Sequence, residues 1–533
     1  MEVDCIPFRE TGYFSTLICD YLDEHETLKP FYNRFPHLQN FKKQIEEKKS
    51  NYKAANRKVL VEALYRQYEG HTPSKLTKSH IDLLQDGDTF TVTTGHQLNI
   101  FTGPLYFLYK IVSTVNLCKK LKKEHPQYNF VPIYWMATED HDFDEINYFN
   151  FQGQKVVWKK NASGAVGDFN THGLDEVSET FSSHLDDSIR ARALISLFKR
   201  AYVQHETLAE ATRFLVNELF GETGLVIVDG NDAALKKLMV PAATQDIFGN
   251  IPFQKVSETI ESLTKASSEY TIQVNPREIN YFYIKKGLRE RIERKEGGFH
   301  VVNTKLNFSQ EALEKELDAH PERFSPNVIA RPLYQEIILP NLCYIGGGGE
   351  LAYWLELRSY FEAMQITFPM LLLRNSVLLM TEKQHAKIEK LNLNVSDLFL
   401  KQHLLEEKKV KDVSEINIDF SSQKRLLEEQ FQDLYRLAEK TDKSFLGAVK
   451  AQEVKQKKGL DHLEKRLLKA QKRKLKDHVH RATELQDMLF PNQSLQERQL
   501  NFSQLYLDLG DRMIPYLLQH LDPLEQHFLV LQY

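Results

Sequence analysis

Five short apolar runs decide what this chain can fold into: DTFTVTT (88–94), NFVPIYWMA (129–137), GLVIVDG (224–230), LPNLCYIGG (339–347) and FPMLLLR (368–374). Each is bounded by Gly, Pro or charge. Each except the second is followed by a helical pattern, and the second leads into further strand-like sequence. Strands buried on both faces read as continuous apolar runs, and their alternation with helices calls for βαβ units around a parallel sheet. The expected fold class is α/β, a doubly wound parallel sheet. Ligands bind such sheets outside the carboxyl ends of the strands, so the residues that follow each run are the ones to examine.

At 533 residues the chain exceeds one ordinary core, and about 150 residues per domain gives roughly three or four units. Residues 1 to about 85 read as helices, with apolar residues at three and four spacing in FYNRFPHLQNFKKQIEEKK and RKVLVEALYRQYE. We divide the chain into 1–150 (N-terminal helices and the first half of the core), 151–200 (a first insertion of hairpins and turns) and 201–244 (core). A second insertion, 245–325, has a hairpin turn at Lys286-Gly287, and 326–380 completes the core. Residues 381–490 are almost free of Pro and place Leu427, Phe431, Leu434, Ala438, Leu460, Leu463, Leu467 and Ala470 at helical spacing, the pattern of an antiparallel coiled-coil arm. Residues 491–533 begin with a Pro break and are expected to pack back on the core.

Composition excludes several function classes. A net charge of −4 argues against a chain-wide nucleic-acid footprint. The one basic stretch, Lys450 to Lys476, has 11 Lys/Arg against 3 acidic residues but no interleaved aromatic residues for stacking on bases. No stretch of 18 uncharged apolar residues occurs and MEVDCIPFRETGYF has no apolar signal region, so a cytoplasmic protein without membrane partners is expected. Cys5, Cys19, Cys118 and Cys343 are far apart and follow no zinc or disulfide spacing; Cys118 and Cys343 read as small core residues.

Three strand ends carry chemistry. After the first run come Thr94-Gly95-His96-Gln97, and Thr102-Gly103-Pro104 then opens a helix, with Thr102 expected as its cap and Pro104 in its first turn. A helix N-terminus favours anions, and His96 and Gln97 would stand beside it as donors; a turn bonded only to backbone is the alternative. The second run ends in Glu139-Asp140-His141-Asp142, followed by Asp144 and Glu145. Five carboxylates and an imidazole so close should raise one another's pKa, as where a proton, amine or metal is handled, unless the segment is an acidic helix-capping turn. The spacing matches no recognised Ca²⁺ loop, and no residue is assigned to a metal. The fourth run ends in Gly346 to Gly349 ahead of a helix opening with Glu350, which allows close approach to a phosphate or carboxylate without being a P-loop or a dinucleotide fingerprint. Asp229 is an amine or ribose candidate or a helix cap. Arg331, with Asn327 and Gln335 nearby, suits a carboxylate or phosphate clamp or a plain ion pair. The ends at Gly95, Asp140 and Gly347 are expected to converge on one pocket.

Four segments, TTGHQLNIFTGPLYFLYK, YWMATEDHDFDEIN, SPNVIARPLYQEIILPNLCYIGGGGELAYWLEL and PNQSLQERQLNF, together resemble the BshC family, the cysteine ligases of bacillithiol biosynthesis. The resemblance runs essentially end to end. It implies a Rossmann-like core related to class I nucleotidyltransferases, interrupted by connecting-peptide insertions, and a coiled-coil arm that makes a homodimer. It also implies a reaction joining the carboxyl of L-cysteine to the amine of glucosaminyl-malate. Amide formation from a free carboxylate in water is uphill, so an ATP or ADP site follows from the resemblance although no Walker lysine is present. In that scheme Asp140, His141 and Asp142 hold the substrate ammonium and supply the base, and Glu350 anchors a polar group. Thr94, Gly95, His96, Gln97, Gly103, Asn327, Arg331, Gly346, Gly347, Gly348 and Tyr353 bind substrate or nucleotide. A nucleotidyltransferase that adenylates a small acid, or a non-catalytic pathway scaffold, are the alternatives.

Overall fold

The computed structural model describes residues 3–295 and 297–533. The five apolar runs become β1 (Thr89–His96), β2 (Asn129–Met136), β3 (Val226–Asp229), β4 (Asn341–Gly346) and β5 (Met370–Leu373). They form one sheet in the order β5-β4-β1-β2-β3, and every neighbouring pair is parallel. This is a Rossmann-like order, and its direction of winding reverses between β1 and β4.

Every residue of β1 is buried. Phe90 and Val92 on one face join Phe41, Ile45, Leu117, Leu342, Cys343 and Leu372 in a single core cluster. On the other face, Thr91 and Thr93 donate to Asn341 Oδ1, Asn341 donates to Glu336, and Lys48 closes the chain on Glu336 at 2.9 Å. A central strand therefore carries hydroxyls because a buried network accepts from them. Cys118 and Cys343 sit in the apolar cluster, where burial pushes both thiols up and keeps them protonated. Both are core residues, as expected.

Four helices matter for the site: α1 (Tyr106–Glu124) after β1, α2 (Ala233–Ile247) after β3, α3 (Ala330–Ile338) ahead of β4 and α4 (Gly348–Leu355) after it. The segment after β2 folds into a hairpin, Tyr148–Phe151 with Gln154–Val157. Before α3 lies an antiparallel sheet whose Tyr281–Lys285 and Leu288–Lys295 strands turn at Lys286-Gly287, with φ +74° at Gly287.

The chain divides into two compact units. One comprises Pro7–Val377 and Glu497–Leu529 and contains the parallel sheet. Its late segment packs on α1: Asn116 donates to the Leu518 and Leu521 carbonyls, and Lys120 pairs with Asp522. The other comprises residues up to Ile6, Leu378–Gln496 and Val530–Tyr533. Within it α5 (Gln402–Val413), α6 (Ser421–Ala438), α7 (Lys443–Lys474) and α8 (Lys476–Leu489) form the arm. Pairing of Lys424 with Glu464, Glu428 with Lys457 and Tyr435 with Glu453 makes α6 and α7 antiparallel. Phe431, Ala438 and Val449 are buried on that seam. Leu434 and Leu463, expected on it, are instead 40% and 52% exposed, because the contact stripe follows Leu427, Phe431, Tyr435 and Ala438. Among the described residues no helix is long and apolar enough to cross a membrane.

Candidate active site

A cavity of about 750 Å³ opens at the carboxyl ends of β1, β2 and β4, where the sheet order reverses. Gly95, Asp140 and Gly347 all line it, so the three strand ends converge. Its base is an ion pair between a buried lysine and a partly buried carboxylate. Lys110, in the second turn of α1, reaches Glu350 at 2.6 Å and the Gly95 carbonyl at 2.7 Å. Glu350 also accepts from Tyr344 Oη and from the Gly347 N–H, each at 2.8 Å. Burial alone would push the Glu350 carboxyl up, but Lys110 and the Gly347 N–H outweigh it and hold the group below its usual value.

His96 lines the cavity with its ring between Tyr106 and Phe107. Burial, with Lys110 and Arg374 nearby, pushes its pKa well below 6.5, so the imidazole is neutral, and Nε2 has no protein partner among the described residues. Arg374 directly follows β5, lies over the Tyr106 ring at 4.8 Å and pairs with Glu497 at 2.7 Å, while its buried Nε is also unpartnered among the described residues. Gln97 donates to Asp140 at 2.9 Å and to Glu145 at 2.6 Å. Arg331 donates to Gln335 and Tyr353, which fixes the guanidinium along one wall. Asn327 lines the cavity while its Oδ1 accepts from the Ile329 and Ala330 N–H groups at the start of α3.

The acidic segment departs from expectation. Burial would raise Asp140, but hydrogen bonds from His141 and Gln97, with Arg289 alongside, hold it well below the ordinary carboxylate range. Of the other four carboxylates only Glu145 shares a partner with it, the Gln97 amide. Glu139 goes to the buried Lys236 at 2.5 Å, and Glu145 to Gln97. Asp142 faces a separate shallow hollow with Asp144 and Lys160. His141 Nδ1 accepts from Arg289 Nη1 at 2.7 Å.

Four binding candidates lie outside the cavity lining. Thr94 Oγ1 donates to the Ile345 carbonyl at 2.7 Å and ties β1 to β4. Gly346 is packed so closely that a Cβ there would meet Leu351, Glu350 and Tyr344 within 3.0 Å. Gly103, φ +62°, turns its carbonyl to Asn501, as does Phe101. Thr102 is not a cap and Pro104 is not in the first helical turn: a 3₁₀ turn with positive φ at Phe101 and Thr102 intervenes, and α1 begins at Tyr106 without a side-chain cap. Asp229 accepts from Thr138 and Asn231, and Asp232 caps α2, the capping reading of that turn.

A family model described as the N-terminal Rossmann-like domain of bacillithiol biosynthesis BshC matches residues 1–375, and one for the C-terminal coiled-coil domain of BshC matches 377–533. The chain belongs to the BshC family. A relative from Christiangramia forsetii is 56% identical over 100% of this chain and 99% of its own length. One from Flavobacterium johnsoniae is 58% identical over 99% of each. One from Lysinibacillus sphaericus is 26% identical over 97% of this chain and 98% of its own length. All three bear the name "Putative cysteine ligase BshC".

In this BshC-family site the residues that sequence reasoning missed are mostly cations. Lys110, Arg277, Arg289, Arg374 and Arg498 line the cavity with Arg331, against Glu139, Asp140 and Glu350. A signal for Lys110 existed: it is a lone charge within Phe107–Asn116, a stretch of α1 buried throughout. Among the described residues no group of His, Cys, Asp and Glu could hold a metal ion.

Proposed function

We propose that this chain is a ligase that joins the carboxyl of L-cysteine to the amine of glucosaminyl-malate, with the carboxylate activated by ATP, in the cytoplasm. The observation that carries the reading is the cation-rich cavity built around Lys110–Glu350 at the switch point of a BshC-family core. Its excess of guanidinium groups suits a ligand with several negative charges, which both the malyl dicarboxylate and a nucleotide have. The residues fit a nucleotide: Gly348 and Gly349 line the cavity in the first turn of α4, where helical N–H groups have no intrahelical partner, and the unpartnered Arg374 Nε and His96 Nε2 offer buried polar atoms. Bound ATP would supply the activation that a free carboxylate lacks.

Held ionised, Asp140 is a poor proton acceptor and a good fixed counter-charge, so we assign it to the cysteine ammonium. Glu350 fixes Lys110, whose ammonium faces the reacting carboxylate from the floor of the site. His96, neutral and buried, serves as a hydrogen-bonding group. The test is to incubate the purified protein with cysteine, glucosaminyl-malate and ATP and follow product, AMP and ADP by mass spectrometry; no nucleotide-dependent product sinks the reading. Asp140→Asn is expected to lower kcat/KM for cysteine about 10- to 100-fold, the worth of one charged hydrogen bond, with normal protein abundance. Unchanged kinetics would remove Asp140 from the site.

The arm is assigned to self-association. Leu437, Phe445 and Leu446 near the α6–α7 turn, with Leu463 along α7, stay 40–53% exposed on the isolated hairpin. A twofold pair is the commonest way to cover such a stripe. Light scattering is expected to give a homodimer for the full chain and a monomer when the arm is replaced by a short Gly/Ser linker. A full-length monomer, or a dimer unaffected by the deletion, would refute the assignment.

A further inference from the structure

The segment between Ser267 and Tyr281 has no regular structure, yet Val274, Asn275 and Arg277 line the cavity. Two buried carboxylates on different helices pin it. At the carboxyl end of α4, Glu356 accepts from the Gln273 N–H at 2.8 Å; on α2, Asp246 accepts from the Asn280 N–H at 2.8 Å. Both are fully buried, and the second oxygen of each has no partner among the described residues. Burial pushes both carboxyls up to about 7 against those backbone hydrogen bonds. Holding the loop this way is expensive, and an irregular loop gains nothing from such anchors unless its position matters.

What the anchors position is Arg277. Its N–H donates to Asn280 Oδ1 at 3.1 Å and its carbonyl accepts from Asn280 Nδ2 at 2.9 Å, while Asn280 is fixed in turn by Asn327. The backbone is thus held at both peptide groups, but the side chain is exposed. Lys110, Arg289 and Arg374 are committed to Glu350, His141 and Glu497. Arg277 has no carboxylate within ion-pair distance among the described residues, so its charge is available to a ligand. The loop also reaches the glycine turn, since a Cβ on Gly349 would meet Gln273 Oε1 at 3.8 Å.

We propose that Arg277 binds an anionic group of the ligand and that Glu356 and Asp246 are the positioning residues that hold its loop across the cavity. The role rests on the ligase reading above and adds to it a clamp built from the second insertion. It is tested on the full chain with Arg277→Ala, Arg277→Lys, Glu356→Ala and Glu356→Gln. Arg277→Ala is expected to raise KM for ATP or for glucosaminyl-malate about tenfold or more with kcat within a few-fold, and Arg277→Lys to restore part of it. Glu356→Ala should raise the same KM and speed hydrogen exchange at 271–280; Glu356→Gln, which keeps an acceptor, should stay near wild type. Unchanged KM values in Arg277→Ala overturn the binding role. Faster exchange in Glu356→Ala without a KM change overturns the positioning role. If the wild type forms no product, the ligase reading falls and the clamp is read by calorimetry with inorganic pyrophosphate and L-malate. An affinity that drops about tenfold in Arg277→Ala upholds it. Equal affinity, or no binding of either anion by the wild type, overturns it.

Discussion

Glu350→Gln is expected to lower kcat by at least about a hundredfold, the scale seen when a preorganised charge is removed from a site. The carboxylate has three partners, Lys110, Tyr344 Oη and the Gly347 N–H, and an amide oxygen replaces neither its charge nor its second acceptor. The same change leaves a buried ammonium unpaired, so a loss of about 3–5 kcal/mol of stability accompanies it. Activity and stability separate in the double variant Lys110→Met with Glu350→Leu, which removes both charges. That variant should recover most of the stability and none of the turnover. Turnover near wild type in Glu350→Gln, measured as product per enzyme at saturating substrates, would sink the assignment. Because Glu350 is held below 4.5, its contribution to stability is complete above that pH and disappears as pH falls through the lowered value.

The second large effect is on folding. Glu497 is fully buried and accepts from Arg374 Nη2 at 2.7 Å, from Ser376 Oγ at 3.2 Å and from the Val377 N–H at 3.0 Å. Glu497→Ala strips the partner from a guanidinium that is only 4% exposed and orphans a buried backbone donor. A loss of about 3–5 kcal/mol in urea unfolding is expected. A loss below about 1 kcal/mol would mean that Arg374 finds other partners and that the pair is dispensable.

The strands were legible in the sequence because burial on both faces leaves an unbroken apolar run, which needs no periodicity to be seen. Their spatial order was not, since nothing in LPNLCYIGG states that it pairs with DTFTVTT across some 250 residues. The same distinction governs the site. Gly95, Asp140, Gly347 and Glu350 are visible because each lies at, or within four residues of, the carboxyl end of a strand. Lys110 reaches the same cavity from a helix and Arg374 from the position just after β5, and a lone Lys or Arg in sequence reads first as surface. Asp142 shows the opposite error: a run of charges looks like one cluster, but past the end of a strand successive side chains diverge, and its carboxylate ends in another hollow. Leu434 and Leu463 fit a helical period and still miss the seam, because several stripes share that spacing and only packing selects one.

The pairing of Arg374 with Glu497 has a consequence for how the molecule is made. The two residues are 123 positions apart, and the whole arm is translated between them. At about 5–20 residues per second, Arg374 emerges from the ribosome roughly 6–25 seconds before its counter-charge exists. Through that interval the last strand of the sheet ends in an uncompensated guanidinium and an open backbone donor, while α6 and α7, which pair with each other across a short turn, are free to form. The nascent core is therefore one that has to wait, and its closing step belongs to the completed chain.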